Sequence, residues 1–256
     1  MRPAEAVANL LDPRGDRVAS VIPPGYESYV RILNPIELRD GSTISWTETV
    51  SRNGFKPHAW MQWPEFEASN QIAFWKEPEM GNPAVSLVQH LIEALQPDRS
   101  THYFASWAGY ATEIQEPTVE FSPYHREMVL YTGNLVDEDH APLLPTTATG
   151  RVPMYWWPSD LRWLVGHDIY ARSLFVGCSE STAQRILADQ NLDAYAVMAS
   201  DKVLNEEFGR DRSNGCESPP VARADRQLHL RGYAVDPRED GICALQRIQG
   251  PACRAS

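Results

Sequence analysis

M-Y-W-W-P-S-D-L-R-W-L-V-G-H-D-I-Y-A-R-S-L-F-V-G, from Met154 to Gly177, is the stretch on which the reading of this 256-residue chain turns. It holds three of the eight tryptophans in 24 positions. Aromatic and β-branched residues bounded by Pro158, Ser159 and Asp160 predict a strand over Val152 to Trp157, a turn, and strands over Trp163 to Tyr170 and Leu174 to Val176. Side chains alternate along a strand, so Trp156 and Trp157 face opposite sides of the sheet. In a sheet with a one-sided core they cannot both be buried. The functional expectation is an aromatic platform of Trp156, Trp157 and Trp163, with Trp107 adjoining and Asp160 beside it, able to stack a sugar, a base or a partner's arginine. The structural alternative keeps one tryptophan in the core and the other under a helix or loop. Asp160 is then only a turn residue, its carboxylate accepting from nearby amides.

Outward from this block, Tyr103 to Trp107, Glu127 to Tyr131 (before the Thr132-Gly133-Asn134 turn) and Tyr195 to Met198 read as further strands. Tyr26, Tyr29, Val30 and Leu33 follow Pro23-Pro24-Gly25 at helical spacing and predict a short helix over 24–33. Val85, Val88, Leu91, Ile92 and Leu95 between Pro83 and Pro97 predict a second helix over 84–96. Ser179 or Ser181 caps a third over 180–190, with Ala183, Ile186 and Leu187 inward. Ser200 heads a last one carrying Val203, Leu204 and Phe208. A helical turn is expected around Ile44 to Val50, within an irregular Trp-, Pro- and Gly-rich segment over 38–82. The fold class is α+β: a mixed or largely antiparallel sheet of about five strands, covered by helices mainly on one side. One domain is expected over 1–208, followed by a loosely attached or disordered tail over 209–256.

Net charge is −11, from 23 Lys and Arg against 34 Asp and Glu. The tail carries eight arginines and six acids, which leaves −13 for residues 1–208. An acidic body repels phosphate backbones and fits a basic protein partner better than nucleic acid. No apolar run approaches the roughly 20 residues of a membrane span, and charges interrupt residues 1–20 where a signal peptide needs an apolar core. A cytoplasmic location is expected. Cys178, Cys216, Cys243 and Cys253 form no C-x-x-C pair, so no zinc site of that kind is read, and no cofactor is expected.

His167-Asp168 invites an acid–base or metal reading, but neighbours on a strand point apart. Asp137, Glu138, Asp139 and His140 lack the ligand spacing of a calcium loop and read as a solvated acidic loop. Cys178 sits where a strand hands over to a helix, whose N-terminus would lower its thiol pKa; an inert buried cysteine is the competing reading. The chain has no G-x-S-x-G, P-loop or G-x-G-x-x-G.

Val21 to Pro35 (V-I-P-P-G-Y-E-S-Y-V-R-I-L-N-P), Tyr103 to Gly109 (Y-F-A-S-W-A-G) and the W-W-P-S-D-L-R-W block running on to Phe175 to Ser179 (F-V-G-C-S) resemble a group of actinobacterial proteins of similar length. That group has no assigned activity to transfer. The resemblance implies an acidic residue where Tyr170 stands and a second glycine where Cys178 stands. A more distant similarity, in the order of a proline-led helix (Pro24 to Leu33), a sheet, and a closing strand and helix (Leu174 to Leu187), is to the Smi1/Knr4-like (SUKH) proteins. Many of these are toxin-immunity proteins. The resulting expectation is a protein-binding protein of immunity or regulatory type, using Trp156, Trp157, Asp160, Trp163, Trp107 and Asp168. The alternatives are a hydrolase combining Asp160, Asp168 and His167 in a Trp-lined cleft, and a carbohydrate-binding protein.

Overall fold

The computed structural model describes residues 3–63, 75–110, 118–121, 124–147 and 150–203. The chain divides into two units, Met1–Gly215 and Cys216–Ser256, and every described residue belongs to the first. The expected tail, and most of the helix expected after Ser200, lie outside the described residues.

Eleven strands are described: β1 (Ser28–Leu33), β2 (Ile36–Leu38), β3 (Thr43–Ile44), β4 (Trp75–Lys76), β5 (His102–Trp107), β6 (Thr118–Phe121), β7 (Arg126–Gly133), β8 (Tyr155–Pro158), β9 (Leu164–Gly166), β10 (Ser173–Cys178) and β11 (Asp193–Val197). The helices are α1 (Pro3–Leu10), α2 (Trp46–Arg52), α3 (Val85–Leu95) and α4 (Glu180–Ala188). Eight strands form one antiparallel sheet in the order β11-β1-β10-β9-β8-β5-β7-β6, and β3-β2-β4 make a second, small one. The α+β class holds, but the main sheet exceeds the expected five strands. No helix among the described residues is long and apolar enough to cross a membrane.

The largest correction falls on residues 24–33. The expected helix is absent; β1 runs antiparallel between β10 and β11, with Val30 opposite Val176 and Ala196. Its apolar spacing looked helical because all of it is buried: Tyr29, Val30, Arg31, Ile32 and Leu33 are enclosed together. A strand covered on both faces shows a continuous buried run, and a helical subset can be picked from such a run. The element order behind the SUKH resemblance loses its leading helix. β6 went unread because four residues with a glutamate among them carry little signal.

Helix cover also differs from the one-sided expectation. On one face, Val30, Phe104, Trp156, Val165 and Val176 pack with Leu87, Leu91 and Ile92 of α3 and Ala183 and Ile186 of α4. On the other, Tyr29, Ala105, Tyr155, Trp157, Leu164 and Phe175 pack with Ala4, Val7 and Ala8 of α1 and with Val18 and Ile22. Leu187, expected inward, is exposed. The helix expected over 84–96 is α3, stopped by Gln96 in the left-handed region with its N–H on Ile92. α4 begins where Ser179 accepts from the Thr182 amide, and α2 where Ser45 does the same for Glu48.

Candidate functional site

Two covered faces decide the fate of the tryptophans. Trp156 and Trp157 do point to opposite sides, and both are 0% exposed because each side is roofed. Trp163 is buried as well, edge-on to Trp156 at 5.7 Å and stacked on His102 at 5.6 Å. Trp157 stacks on Tyr103 at 5.9 Å. The expected exposed platform is therefore not formed, and its tryptophans are core. Asp160 sits in the turn after β8, where it accepts from the Arg162 amide at 3.2 Å and pairs with the Arg162 side chain at 3.4 Å. That is the turn role.

The residues of the expected hydrolase do not converge. His167 is 1% exposed, with Nε2 3.2 Å from the Pro153 carbonyl and Nδ1 3.4 Å from that of Asp168. Burial pushes its pKa down to about 4, outweighing the two carbonyls that favour the charged ring. Asp160 and Asp168 are engaged by different arginines, Arg162 and Arg126. Cys178 is buried, and desolvation drives its thiol up to about 12, so the nearby helix N-terminus does not activate it. Among the described residues no three His, Cys, Asp or Glu side chains gather as metal ligands.

Asp168 leads to a different site. The strand expected to continue to Tyr170 stops at Gly166, and the chain turns out of the sheet. The Tyr170 amide donates to the Asp168 carboxylate at 2.9 Å and the Ala171 amide to its carbonyl at 3.1 Å. This exit places Asp168 and Tyr170 on the wall of a cleft of about 50 Å³, room for a few water-sized groups. Arg126 enters from the start of β7, just past His125, which takes a positive φ of 52°. Its Nη1 donates to Asp168 at 2.7 Å.

Three aromatic rings surround that guanidinium: Tyr124 at 4.8 Å, and Trp107 and Tyr170 at 5.8 Å each. Such faces favour a cation and hold it in place. The Arg126 side chain is 11% exposed, and its nitrogens other than Nη1 make no hydrogen bond among the described residues. Arg17 lines the same cleft, its Nη1 donating to the Ser200 carbonyl at 2.8 Å. Arg31 also lines it, with Nε donating to Ser173 at 3.0 Å and Nη1 to the Ala59 carbonyl at 2.7 Å. Three guanidiniums and one carboxylate are thus among the described lining residues, of which Arg126 pairs with Asp168 and Arg17 with Asp16, 3.8 Å away, in a protein whose net charge is −11.

Tyr155 supplies the floor. It lies opposite Gly166 in the β8–β9 pairing, and a Cβ on that glycine would come 2.8 Å from the Tyr155 ring. The absent side chain is what lets the ring lie flat there. Of the residues singled out in the sequence, Asp168 lines the cleft and Trp107 flanks its arginine; the other four lie elsewhere. Arg17, Arg31, Arg126 and Tyr155 went unread. Arg31 did leave a signal, since an arginine inside the run Y-V-R-I-L is a cation the fold must bury. Comparison with protein-family models, with curated proteins and with solved structures finds no match.

Proposed function

We propose that this chain is a binding protein whose site is the arginine-lined cleft, and that the site takes an anionic group. The observation that carries this is Arg126: flanked by three aromatic rings, fixed through one nitrogen, and lining the cleft with its other nitrogens unbonded among the described residues. A guanidinium held this way is preorganised, so little side-chain freedom is lost when an anion arrives. The test is a titration followed by amide NMR with sodium acetate, sulfate and phosphate in turn. At least one anion should shift Gly15, Arg17, Arg126 and Tyr170 along a common saturation curve, and Arg126→Gln should abolish this while preserving the dispersion of core resonances. Absence of the shifts for every anion, or their survival in the variant, removes the proposal.

A second reading keeps a basic protein partner, of the kind the immunity resemblance implies. It is favoured by a groove of about 650 Å³ lined by Glu48, Asp189 and Asp193, with no lysine or arginine among its described lining residues. Acidic lining of this kind steers basic partners. An oligo-arginine peptide should then perturb residues 187–195 first, in a salt-dependent way; perturbation spread over the whole acidic surface would remove this reading.

A further inference from the structure

The cleft holds more than its arginine. Tyr155 is 4% exposed and lines the cleft, and its hydroxyl makes no hydrogen bond among the described residues. That oxygen is not sealed from solvent, so it can exchange water for a group held in the cleft, and an acceptor arriving there finds a donor already in the wall. Burial raises the phenol's pKa, so it stays protonated and donates.

The remaining walls limit what can carry that acceptor. Val21, Phe121, Met128 and Met154 are apolar and line the same space. A small, fully hydrated dianion would leave them facing its hydration shell and would stand close to the Asp168 carboxylate, which both Arg126 and the Tyr170 amide already hold. A monoanion with a short apolar body, of a size with the cleft's 50 Å³, meets every wall. One oxygen accepts from Arg126, the other from Tyr155, and the body lies against methionine and phenylalanine.

We propose that the ligand is a small organic monocarboxylate with an apolar body, its carboxylate shared between Arg126 and the Tyr155 hydroxyl. This rests on the reading of the cleft as an anion site and specifies it. No bond is made or broken; the site binds.

The experiment is calorimetric and NMR titration of the full chain with propionate, propionamide and inorganic phosphate, in wild type, in Tyr155→Phe and in Arg126→Gln. Propionate should bind wild type at least tenfold more tightly than either propionamide or phosphate. Tyr155→Phe removes one hydroxyl and keeps the ring, so the variant should fold normally and bind propionate about ten- to a hundredfold more weakly, as loss of a hydrogen bond to a charged group implies. Phosphate binding equal to or tighter than propionate overturns the monocarboxylate while the anion site stands. So does propionate binding that is indifferent to Tyr155→Phe. If neither anion binds, the anion site fails and the monocarboxylate with it. Propionamide matching propionate, with Arg126→Gln harmless to both, shows an apolar pocket and defeats both proposals.

Discussion

Trp157 and Tyr155 stand two residues apart on β8 and face the same side of the sheet, yet they do opposite things. Trp157 is sealed beneath α1 and stacked on Tyr103, its indole N–H left without a partner, a large apolar body filling space. Tyr155 lines the arginine cleft together with Arg17 and Val21 of the N-terminal segment and with Asp168 and Tyr170 of the exit from β9. In this molecule chemistry is placed where cover is missing, and the most conspicuous side chains sit where cover is complete. Density of expensive residues marked the core, one step away from the site.

The largest effect is expected at Trp157→Ala. Truncating a fully buried tryptophan should cost about 3–5 kcal/mol of stability, measured by urea denaturation, whereas Tyr155→Phe should cost about 1 kcal/mol or less. Comparable losses at the two positions would erase the distinction between filler and site.

A pH series probes the sealed side at His167. Its folded pKa of about 4 lies below the ordinary 6.5, so between those values the unfolded chain takes up a proton that the folded one refuses. Stability is complete above about pH 6.5 and declines as pH falls toward 4, by roughly 3 kcal/mol in all. Buried His102, whose pKa is also lowered, chiefly by desolvation, adds in the same direction. Urea midpoints at pH 7.5, 5.5 and 4.5 would follow the decline, and His167→Phe should flatten it; a midpoint that climbs on acidification contradicts the burial of these rings.

Gly166→Ala tests the floor of the cleft. The new methyl meets the Tyr155 ring and crowds the Val21 carbonyl, costing about 1–3 kcal/mol, and it should weaken anion binding because the hydroxyl is pushed off position. Loss of stability with binding intact would detach Tyr155 from the site. The smallest effect is expected at Asp160→Ala, within about 0.5 kcal/mol, since that carboxylate is half in water and bonds to Arg162 of its own turn.

The sequence carried the strands around Phe104, Met128 and Val176, helix α3, and the Asp160 turn, because each rests on local spacing or on a capping or turn residue. It hid β1, whose burial on both faces left no alternation to read. The same hidden fact, a sheet roofed on each side, reversed the reading of Trp156 and Trp157. The cleft was out of reach for another reason: Arg17, Arg126, Tyr155 and Asp168 come from four separate segments and converge only through tertiary folding. Asp168 was noticed for the histidine beside it, a neighbour that turns inward to a backbone carbonyl.

The pairing of β1 has a consequence for how the molecule is made. Ser28 is hydrogen-bond neighbour to a strand that ends at Cys178, and Val18 and Ala19 donate to Asp201 and Ala199. At ribosomal rates of about 5–20 residues per second, β1 emerges on the order of ten seconds before its partners exist. Such sequence-distant closure is slow, and until it happens the strand is an unpaired apolar edge. Arg17 is carried by the same N-terminal segment, so the cleft is assembled last, and a nascent or prematurely stopped chain would have a core in the making but no site.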